Sequence, residues 1–215
     1  MKTTIFLAEI SDIADSRMDY FMSLVTKEKQ KKLEKYRHII DRKLSLYAEV
    51  LVRKQITNHL GIQNSEISFE KGKYGKPYLK NHPKFYFNIS HTRRAIAVAF
   101  SKSEIGIDIE RIRPCDLKIA KRFFTQEENS YINNCLDFDK AFYEIWTKKE
   151  AYLKHTGKGL NCSLKSFDVT DIKTEQIFNT FEIENGKYIF SVCRNNGADI
   201  PISLIYLEKD IVNLH

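Results

Sequence analysis

The chain has 215 residues, 42% of them hydrophobic and 29% charged, a balance typical of globular proteins that excludes disordered, collagen-like and coiled-coil chains. The 35 Lys and Arg outnumber the 28 Asp and Glu, and the net charge of +7 favours an anionic partner without identifying it. No apolar run reaches the roughly 18 to 20 residues that a membrane-spanning helix needs, so we expect no membrane partner.

The first ten residues lack a signal-peptide core, and the four cysteines show no spacing of zinc ligands. We therefore expect a cytoplasmic protein with reduced thiols.

The first half predicts basic helical sequence, a long core helix and three strands. Thr26 is a candidate N-cap for a stretch rich in Lys and Arg, from Lys27 to Lys43. Apolar residues at helical spacing predict a helix from Asp41 to Leu60, with Gly61 as its C-cap. Alternating and apolar runs predict strands at 85–89, 95–100 and 105–110.

The second half repeats this mixture. Helical patterns cover 117–124 and 139–155, and the second ends at Gly157. Strand-rich segments follow at 167–169, 178–183, 188–193 and 200–207, separated by Asn-Gly turn signals. Both halves thus offer helices with antiparallel strands, which predicts an α+β protein.

Two acidic residues share one face of the strand at 105–110. Asp108 and Glu110 stand two residues apart, with Cα atoms roughly 7 Å apart, so both carboxylates could bind one divalent cation. An Asp-x-Glu pair is also common on the solvated side of an edge strand. Glu150 precedes Lys154 by one helical turn, and the plain interpretation is a surface ion pair.

Polar and basic residues could bind phosphate at two turns. Ser90, His91 and Thr92 are followed directly by two arginines, which suits a phosphate contact as well as an ordinary polar hairpin turn. Lys76 precedes a proline on a restrained backbone, which suits a fixed cationic contact, although an exposed turn lysine is the simpler interpretation.

The combination of these motifs is more specific than any one of them. In chain order the blocks are Tyr74-Gly75-Lys76-Pro77, Phe87-Asn88-Ile89-Ser90-His91-Thr92, Gly106-Ile107-Asp108-Ile109-Glu110, Phe123-Phe124-Thr125-Gln126-Glu127-Glu128, Trp146-Thr147-Lys148-Lys149-Glu150-Ala151-Tyr152-Leu153-Lys154 and Gly157-Lys158-Gly159-Leu160. Their order and spacing resemble the Sfp-type 4'-phosphopantetheinyl transferases, and the resemblance runs from the basic stretch near Lys29 to Leu160.

The resemblance implies a fold and a reaction. The fold would be a pseudo-dimer of two similar α+β halves in one chain, at 1–104 and 105–215. The reaction would be a Mg²⁺-dependent transfer of 4'-phosphopantetheine from coenzyme A to a serine of an acidic apo acyl or peptidyl carrier protein. The length points to the monomeric branch of the family.

The resemblance also implies the site residues. The metal ligands would be Asp108, Glu110 and Glu150, and Lys154 would contact the pyrophosphate. Lys29 and Lys32 would bind the 3'-phosphate. The remaining coenzyme A contacts would be Lys76, Ser90 and His91.

Three points depart from the family pattern or stay open. Thr92 replaces a common serine and keeps its hydroxyl. Leu44 stands where a nucleotide-contacting arginine is usual, so we take Lys43 in its place. The base that accepts the serine proton could be Glu150, Glu128 or a metal-bound water.

The carrier is expected to dock on the segment after the long helix, from Lys158 through Leu160 and Leu164, as the resemblance implies.

Two rival functions remain at this level. A nucleic-acid-binding module could use the basic stretch on the phosphate backbone, but it leaves the three acidic residues unexplained. A metal-dependent nuclease could use Asp108 and Glu110, but it lacks a Glu-x-Lys on a following strand.

Overall fold

The computed structural model describes residues 3–10, 16–159, 162–170, 176–195 and 203–207. Within these ranges it mixes helices and strands, which confirms the α+β expectation. The helices are α1 (Met18–Ser23), α2 (Lys27–Glu34), α3 (Ile39–Leu60), α4 (Leu117–Phe123), α5 (Gln126–Asn134) and α6 (Phe138–Thr156). The strands are β1 (Thr4–Glu9), β2 (Phe69–Lys71), β3 (Pro77–Leu79), β4 (Tyr86–Thr92), β5 (Ala95–Ser101), β6 (Ile105–Arg111), β7 (Gln176–Ile183), β8 (Tyr188–Asn195) and β9 (Ser203–Leu207).

The strands form two main sheets and a hairpin. The first sheet has the order β4-β5-β1-β9, in which β9 runs parallel to β1 and the other pairs are antiparallel. The second sheet is antiparallel with the order β6-β8-β7, and β2 and β3 form the hairpin. Helix α3 packs on the first sheet and α6 on the second.

Strand β5 shows how the sheets come together. All its residues are buried, because both of its faces are covered. The larger side chains Ile96, Val98 and Phe100 belong to the core under α3. The alternate residues Ala95, Ala97 and Ala99 belong to the core shared with β6 and β8, and their small size lets the second sheet approach closely.

The predicted caps of three helices are confirmed. The Thr26 hydroxyl accepts a hydrogen bond from the Lys29 N–H at the start of α2. Gly61 and Gly157 end α3 and α6 in the left-handed conformation, with φ of 67° and 66°. The basic stretch is divided between two helices, since α2 ends at Glu34 and α3 begins at Ile39.

The predicted strand at 167–169 is wrong. Its backbone groups bind side chains instead of a neighbouring strand: the Phe167 carbonyl accepts from Lys149, and the Val169 N–H donates to Glu128. Strand β1 and helix α5 were not predicted. The predicted strand at 200–207 begins at Ser203, and Ile200 lies outside the described residues.

No helix in the described ranges is long and apolar enough to cross a membrane.

Gly106 sets the distance between β6 and α6. A Cβ atom at this position would lie 1.9 Å from the Ala151 carbonyl oxygen and 2.4 Å from the His155 nitrogen. Both are backbone atoms of α6, so neither can rotate away. The absent side chain therefore allows α6 to lie directly against β6.

Gly106→Ala should destabilise the protein, because the new methyl group must push α6 off the sheet. We expect a loss of about 3 kcal/mol in the free energy of unfolding, measured by urea denaturation. The matched control is Gly72→Ala, since a Cβ there meets its nearest atom at an ordinary 3.6 Å. Equal stability of the Gly106 variant and the wild type would contradict this close packing.

Candidate functional site

The site begins where β4 and β6 lie side by side at the junction of the two sheets. Side chains of β4 take the place of ladder hydrogen bonds there. The Asn88 Oδ1 atom accepts from the Ile107 N–H at 2.9 Å, and the Ser90 Oγ atom accepts from the Ile109 N–H at 3.4 Å. These bonds fix which residues of β6 stand opposite each residue of β4. We call this contact the β4–β6 seam.

The seam also holds two carboxylates. The Ser90 hydroxyl donates to Asp108 Oδ1 at 2.8 Å, and the Thr92 hydroxyl donates to Glu110 Oε2 at 2.9 Å. Asp108 is only 5% exposed, and its second oxygen, Oδ2, is buried without a hydrogen-bond partner. A buried carboxylate oxygen without a partner lowers the stability of the fold unless a hydrogen-bond donor or a cation reaches it.

Helix α6 brings two further charged groups to the seam. The Lys154 Nζ atom lies 2.7 Å from Asp108 Oδ1 and 2.8 Å from Ser90 Oγ. Glu150 lies one turn earlier on the helix. The plain interpretation of Lys154 as the surface partner of Glu150 is therefore wrong, because its ammonium reaches across to Asp108.

The charge of Asp108 acts on the other two carboxylates. Burial and then the negative charge of Asp108 raise the pKa of Glu110, while Thr92 and Lys154 lower it. Burial and the charge of Asp108 likewise raise the pKa of Glu150, which Lys154 opposes. The Lys154 ammonium does not bring the pKa of either group back to its ordinary value.

These residues carry the oxygen donors that a divalent cation needs, although their present arrangement is not that of a complete metal site. No group of three or more His, Cys, Asp or Glu side chains in the described ranges is arranged to hold a metal ion. The Lys154 ammonium and the Thr92 hydroxyl already occupy carboxylate oxygens. The unpartnered Asp108 Oδ2 atom, within an all-carboxylate donor set, still offers the hard oxygen ligands that Mg²⁺ prefers.

A cavity of about 570 Å³ opens beside the seam between α2, α3, the β2–β3 hairpin and β4. Lys29 and Lys32 line it, and the Lys29 Nζ atom lies 3.0 Å from Glu49 Oε2 and 3.1 Å from Ser45 Oγ. His91 lines this cavity and also a second cavity of about 490 Å³, which includes Thr92. The structure thus brings Lys29, Lys32 and His91 together next to the seam.

The other two lysines predicted to contact coenzyme A, Lys76 and Lys43, line neither of these cavities. The Lys76 Nζ atom contacts Glu104 Oε2 at 2.6 Å and the carbonyl oxygens of Ile105 and His155 at 3.2 Å each. It joins the hairpin to the start of β6 and the end of α6. Lys43 is 2% exposed and its Nζ atom lies 5.6 Å from the centre of the Tyr47 ring, so it packs inside the protein and not on the cavity wall.

The prediction that Glu128 could act as the general base is wrong. Its side chain is fully buried, and both oxygens accept backbone N–H groups: Oε2 from Thr125 and Oε1 from Val169, each at 2.9 Å. The Oε1 atom also lies 2.7 Å from the Lys149 Nζ atom. The Thr125-x-x-Glu128 spacing is that of a capping box, a signal that predicts this structural role.

Lys149 is a structural position beside the site that sequence reasoning missed. It is fully buried, and besides Glu128 its ammonium donates to the carbonyl oxygens of Leu164 and Phe167 at 2.7 Å each. Burial lowers the pKa of Lys149, and Glu128 opposes this shift. Lys149 therefore ties α6, next to Glu150, to the segment that follows the helix.

The expected docking segment is only partly described. Lys158 is exposed and Leu164 is half-buried, while Leu160 lies outside the described residues.

Comparison with known proteins gives matches along most of the chain. A family model described as "4'-phosphopantetheinyl transferase superfamily" matches residues 104–205, and one described as "4'-phosphopantetheinyl transferase, N-terminal" matches residues 14–103. The 4'-phosphopantetheinyl transferase Sfp of Bacillus subtilis is 35% identical over 92% of this chain and 94% of its own length. The 4'-phosphopantetheinyl transferase gsp of Aneurinibacillus migulanus is 35% identical over 80% of this chain and 73% of its own.

Lys149→Met should destabilise the protein by about 3 to 5 kcal/mol, because it leaves Glu128 as a buried, unpaired charge. Adding Glu128→Gln should recover part of this loss in urea denaturation. The control is Lys148→Met, which removes only a half-buried pair with Glu144 on the same helix and should cost less than about 1 kcal/mol. Losses of equal size in the two lysine variants would contradict a buried structural role for Lys149.

Proposed function

This chain belongs to the 4'-phosphopantetheinyl transferase superfamily and is an Sfp-type transferase of it, and we propose its donor, acceptor and metal from that premise. The donor is coenzyme A, the acceptor is a serine of an acidic apo acyl or peptidyl carrier protein, and the cation is Mg²⁺. The observation that carries this proposal is the meeting of Asp108, Ser90 and Lys154 beside a cavity lined by Lys29 and Lys32.

The cavity suits the nucleotide part of coenzyme A. Its volume lies within the range of about 300 to 1,000 Å³ that small-molecule sites occupy. Lys29 and Lys32 supply positive charge for the 3'-phosphate. Ser90 contacts Asp108, and its neighbour His91 on the same strand lines the cavity, so the pyrophosphate would lie between the cavity and the seam.

The reaction is a displacement at phosphorus. The carrier serine oxygen forms a bond to the phosphorus atom that bears pantetheine, the bond to the other phosphate breaks, and 3',5'-ADP leaves. Lys154 offsets negative charge on the pyrophosphate oxygens. A Mg²⁺ ion held by Asp108, Glu110 and Glu150 would further neutralise this charge.

We propose Glu150, or a water molecule at the cation, as the acceptor of the serine proton. Glu128 is set aside, because it is buried and its oxygens already bind two backbone N–H groups and Lys149. Burial and the charge of Asp108 raise the pKa of Glu150 in the metal-free protein.

The remaining proposals concern the partner and the organisation of the chain. The net charge of +7 suits an acidic carrier, and we place the docking surface on the segment from Lys158 to Leu164. We propose a cytoplasmic monomer with two similar halves at 1–104 and 105–215. The sheet β4-β5-β1-β9 and the sheet β6-β8-β7 support this division, with β9 returning to the first sheet.

The direct test is transfer of label from coenzyme A to an apo carrier protein. We expect Mg²⁺-dependent attachment of phosphopantetheine to one serine, verified by mass spectrometry, and its loss in EDTA. The parallel arm measures binding of RNA and DNA. Nucleic-acid binding without any transfer to a panel of carriers would contradict the proposal.

Glu150→Gln should abolish most transfer without destabilising the metal-free protein. The raised pKa of Glu150 means that its ionised form is disfavoured in the folded chain. The neutral amide should therefore leave the free energy of unfolding at pH 7 unchanged or slightly higher. That gain should fade as the pH falls through the raised folded-state pKa toward the ordinary carboxyl pKa of 4.5, where the wild-type carboxyl is protonated too.

The matched control is Glu144→Gln on the same helix, which should keep its activity. Normal Mg²⁺-dependent turnover of the Glu150 variant would reject the carboxylate assignment.

Lys29→Ala or Lys32→Ala should weaken coenzyme A binding by roughly 10- to 150-fold, the equivalent of a lost charge-assisted contact of about 1.5 to 3 kcal/mol. The change should appear in KM and leave kcat nearly unchanged, because the 3'-phosphate is remote from the reacting bond. The control is Lys31→Ala, an exposed lysine of α2. With 3'-dephospho-coenzyme A both penalties should vanish, and their persistence would show that the lysines act elsewhere.

A further inference from the structure

Lys29, the cavity lysine assigned to the 3'-phosphate, already has an anionic partner inside the protein. Its Nζ atom lies 3.0 Å from Glu49 Oε2, and both side chains are mostly buried, at 19% and 15% exposed. Ser45 accepts a second hydrogen bond from the same ammonium. A phosphate that binds Lys29 must therefore share this ammonium with Glu49 or displace it.

Glu49 is held in place from its other side. The Arg53 Nε atom donates to Glu49 Oε1 at 3.0 Å. Arg53 is 4% exposed, is hydrogen-bonded to Asn64, and lies over the Phe69 ring at 5.2 Å. Because the arginine is fixed, the Glu49 carboxylate stays in the cavity wall when an anion enters.

The charges around the cavity show why this carboxylate matters. The lining contains nearly as many carboxylates as cations, so its excess of positive charge is small for a ligand with three phosphate groups. The cations are Lys29, Lys32, Arg53 and Lys71, and the carboxylates are Glu28, Glu49 and Glu70.

The Glu28 carboxylate is exposed, and the Glu70 carboxylate pairs with Tyr78 and Lys80. Of the three, Glu49 is the one that contacts a cation assigned to the donor.

We propose that Glu49 competes with the 3'-phosphate for the Lys29 ammonium and so sets how tightly the protein binds nucleotides that carry this phosphate. This inference rests on the proposed function, since it takes Lys29 as a ligand of that phosphate. Glu49 lowers the affinity for every ligand that carries the 3'-phosphate, which includes both coenzyme A and the product 3',5'-ADP. The lower affinity weakens binding of the donor and speeds the release of the product 3',5'-ADP.

The test is Glu49→Gln, which keeps an oxygen acceptor for Arg53 and removes the charge. Isothermal titration calorimetry with coenzyme A, 3'-dephospho-coenzyme A and 3',5'-ADP measures the three affinities. We expect the variant to bind coenzyme A and 3',5'-ADP roughly 10-fold more tightly, the size of one charge-assisted contact. Its affinity for 3'-dephospho-coenzyme A should change less than about twofold, and inhibition by 3',5'-ADP should strengthen in parallel.

Three further variants separate this effect from general electrostatics and from misfolding. Glu28→Gln removes a charge from the exposed rim of the same cavity and should change each affinity less than about twofold. In a Lys29→Ala background, Glu49→Gln should bring no gain, because the contested ammonium is absent. Glu49→Asp keeps the charge but withdraws it from Lys29, and should give a smaller gain if the glutamine variant does not fold.

The outcomes distinguish this inference from the proposed function. If the wild type binds coenzyme A and its dephospho analogue equally, the donor assignment of the cavity is wrong, and the inference fails with it. If the wild type prefers coenzyme A but Glu49→Gln binds it no better or more weakly, only the inference fails. Glu49 would then be a positioning residue that holds Lys29 for the phosphate.

Discussion

The hydrogen bond from Ser90 to Asp108 joins the two sheets at the point where the chemistry is proposed. Ser90 accepts the Ile109 N–H with the same oxygen, so one small hydroxyl fixes both the strand register and the carboxylate. Two residues earlier, the Asn88 side-chain oxygen accepts the Ile107 N–H and so fixes the same register. A buried polar junction of this kind lowers stability unless every polar group has a partner, and the unpartnered Asp108 Oδ2 atom marks the place where we propose a cation.

The seam depends on close packing from both sides. The alanines of β5 let the second sheet approach the first, and Gly106 lets α6 approach β6. Lys154 reaches Asp108 across this short distance, and Lys149 fastens the next segment to the same helix. A buried charge network behind the site and small residues beneath it thus hold Lys154 and Glu150 in a fixed position relative to the seam.

Sequence patterns predicted the elements whose signals are local. The helix caps at Thr26, Gly61 and Gly157 follow from residue type alone. The segment 167–169 was misread as a strand, because its backbone partners are side chains more than 15 residues away in sequence. Strand β1 was missed, since a short apolar run looks the same in a buried strand and a buried helix.

The site was also predictable only where its signals are local in the sequence. Residue spacing placed Asp108 and Glu110 on one face, and the family resemblance added Glu150 and Lys154. The burial of Lys43, the partners of Lys76 and the pairing of Lys29 with Glu49 depend on tertiary contacts that no spacing reveals.

Anomalous diffraction from crystals grown with Mn²⁺ and coenzyme A is the most direct test of the seam as a metal site. The account predicts a Mn²⁺ peak among Asp108, Glu110 and Glu150 with Ser90 still bound to Asp108, whereas a peak elsewhere, or none, would contradict it.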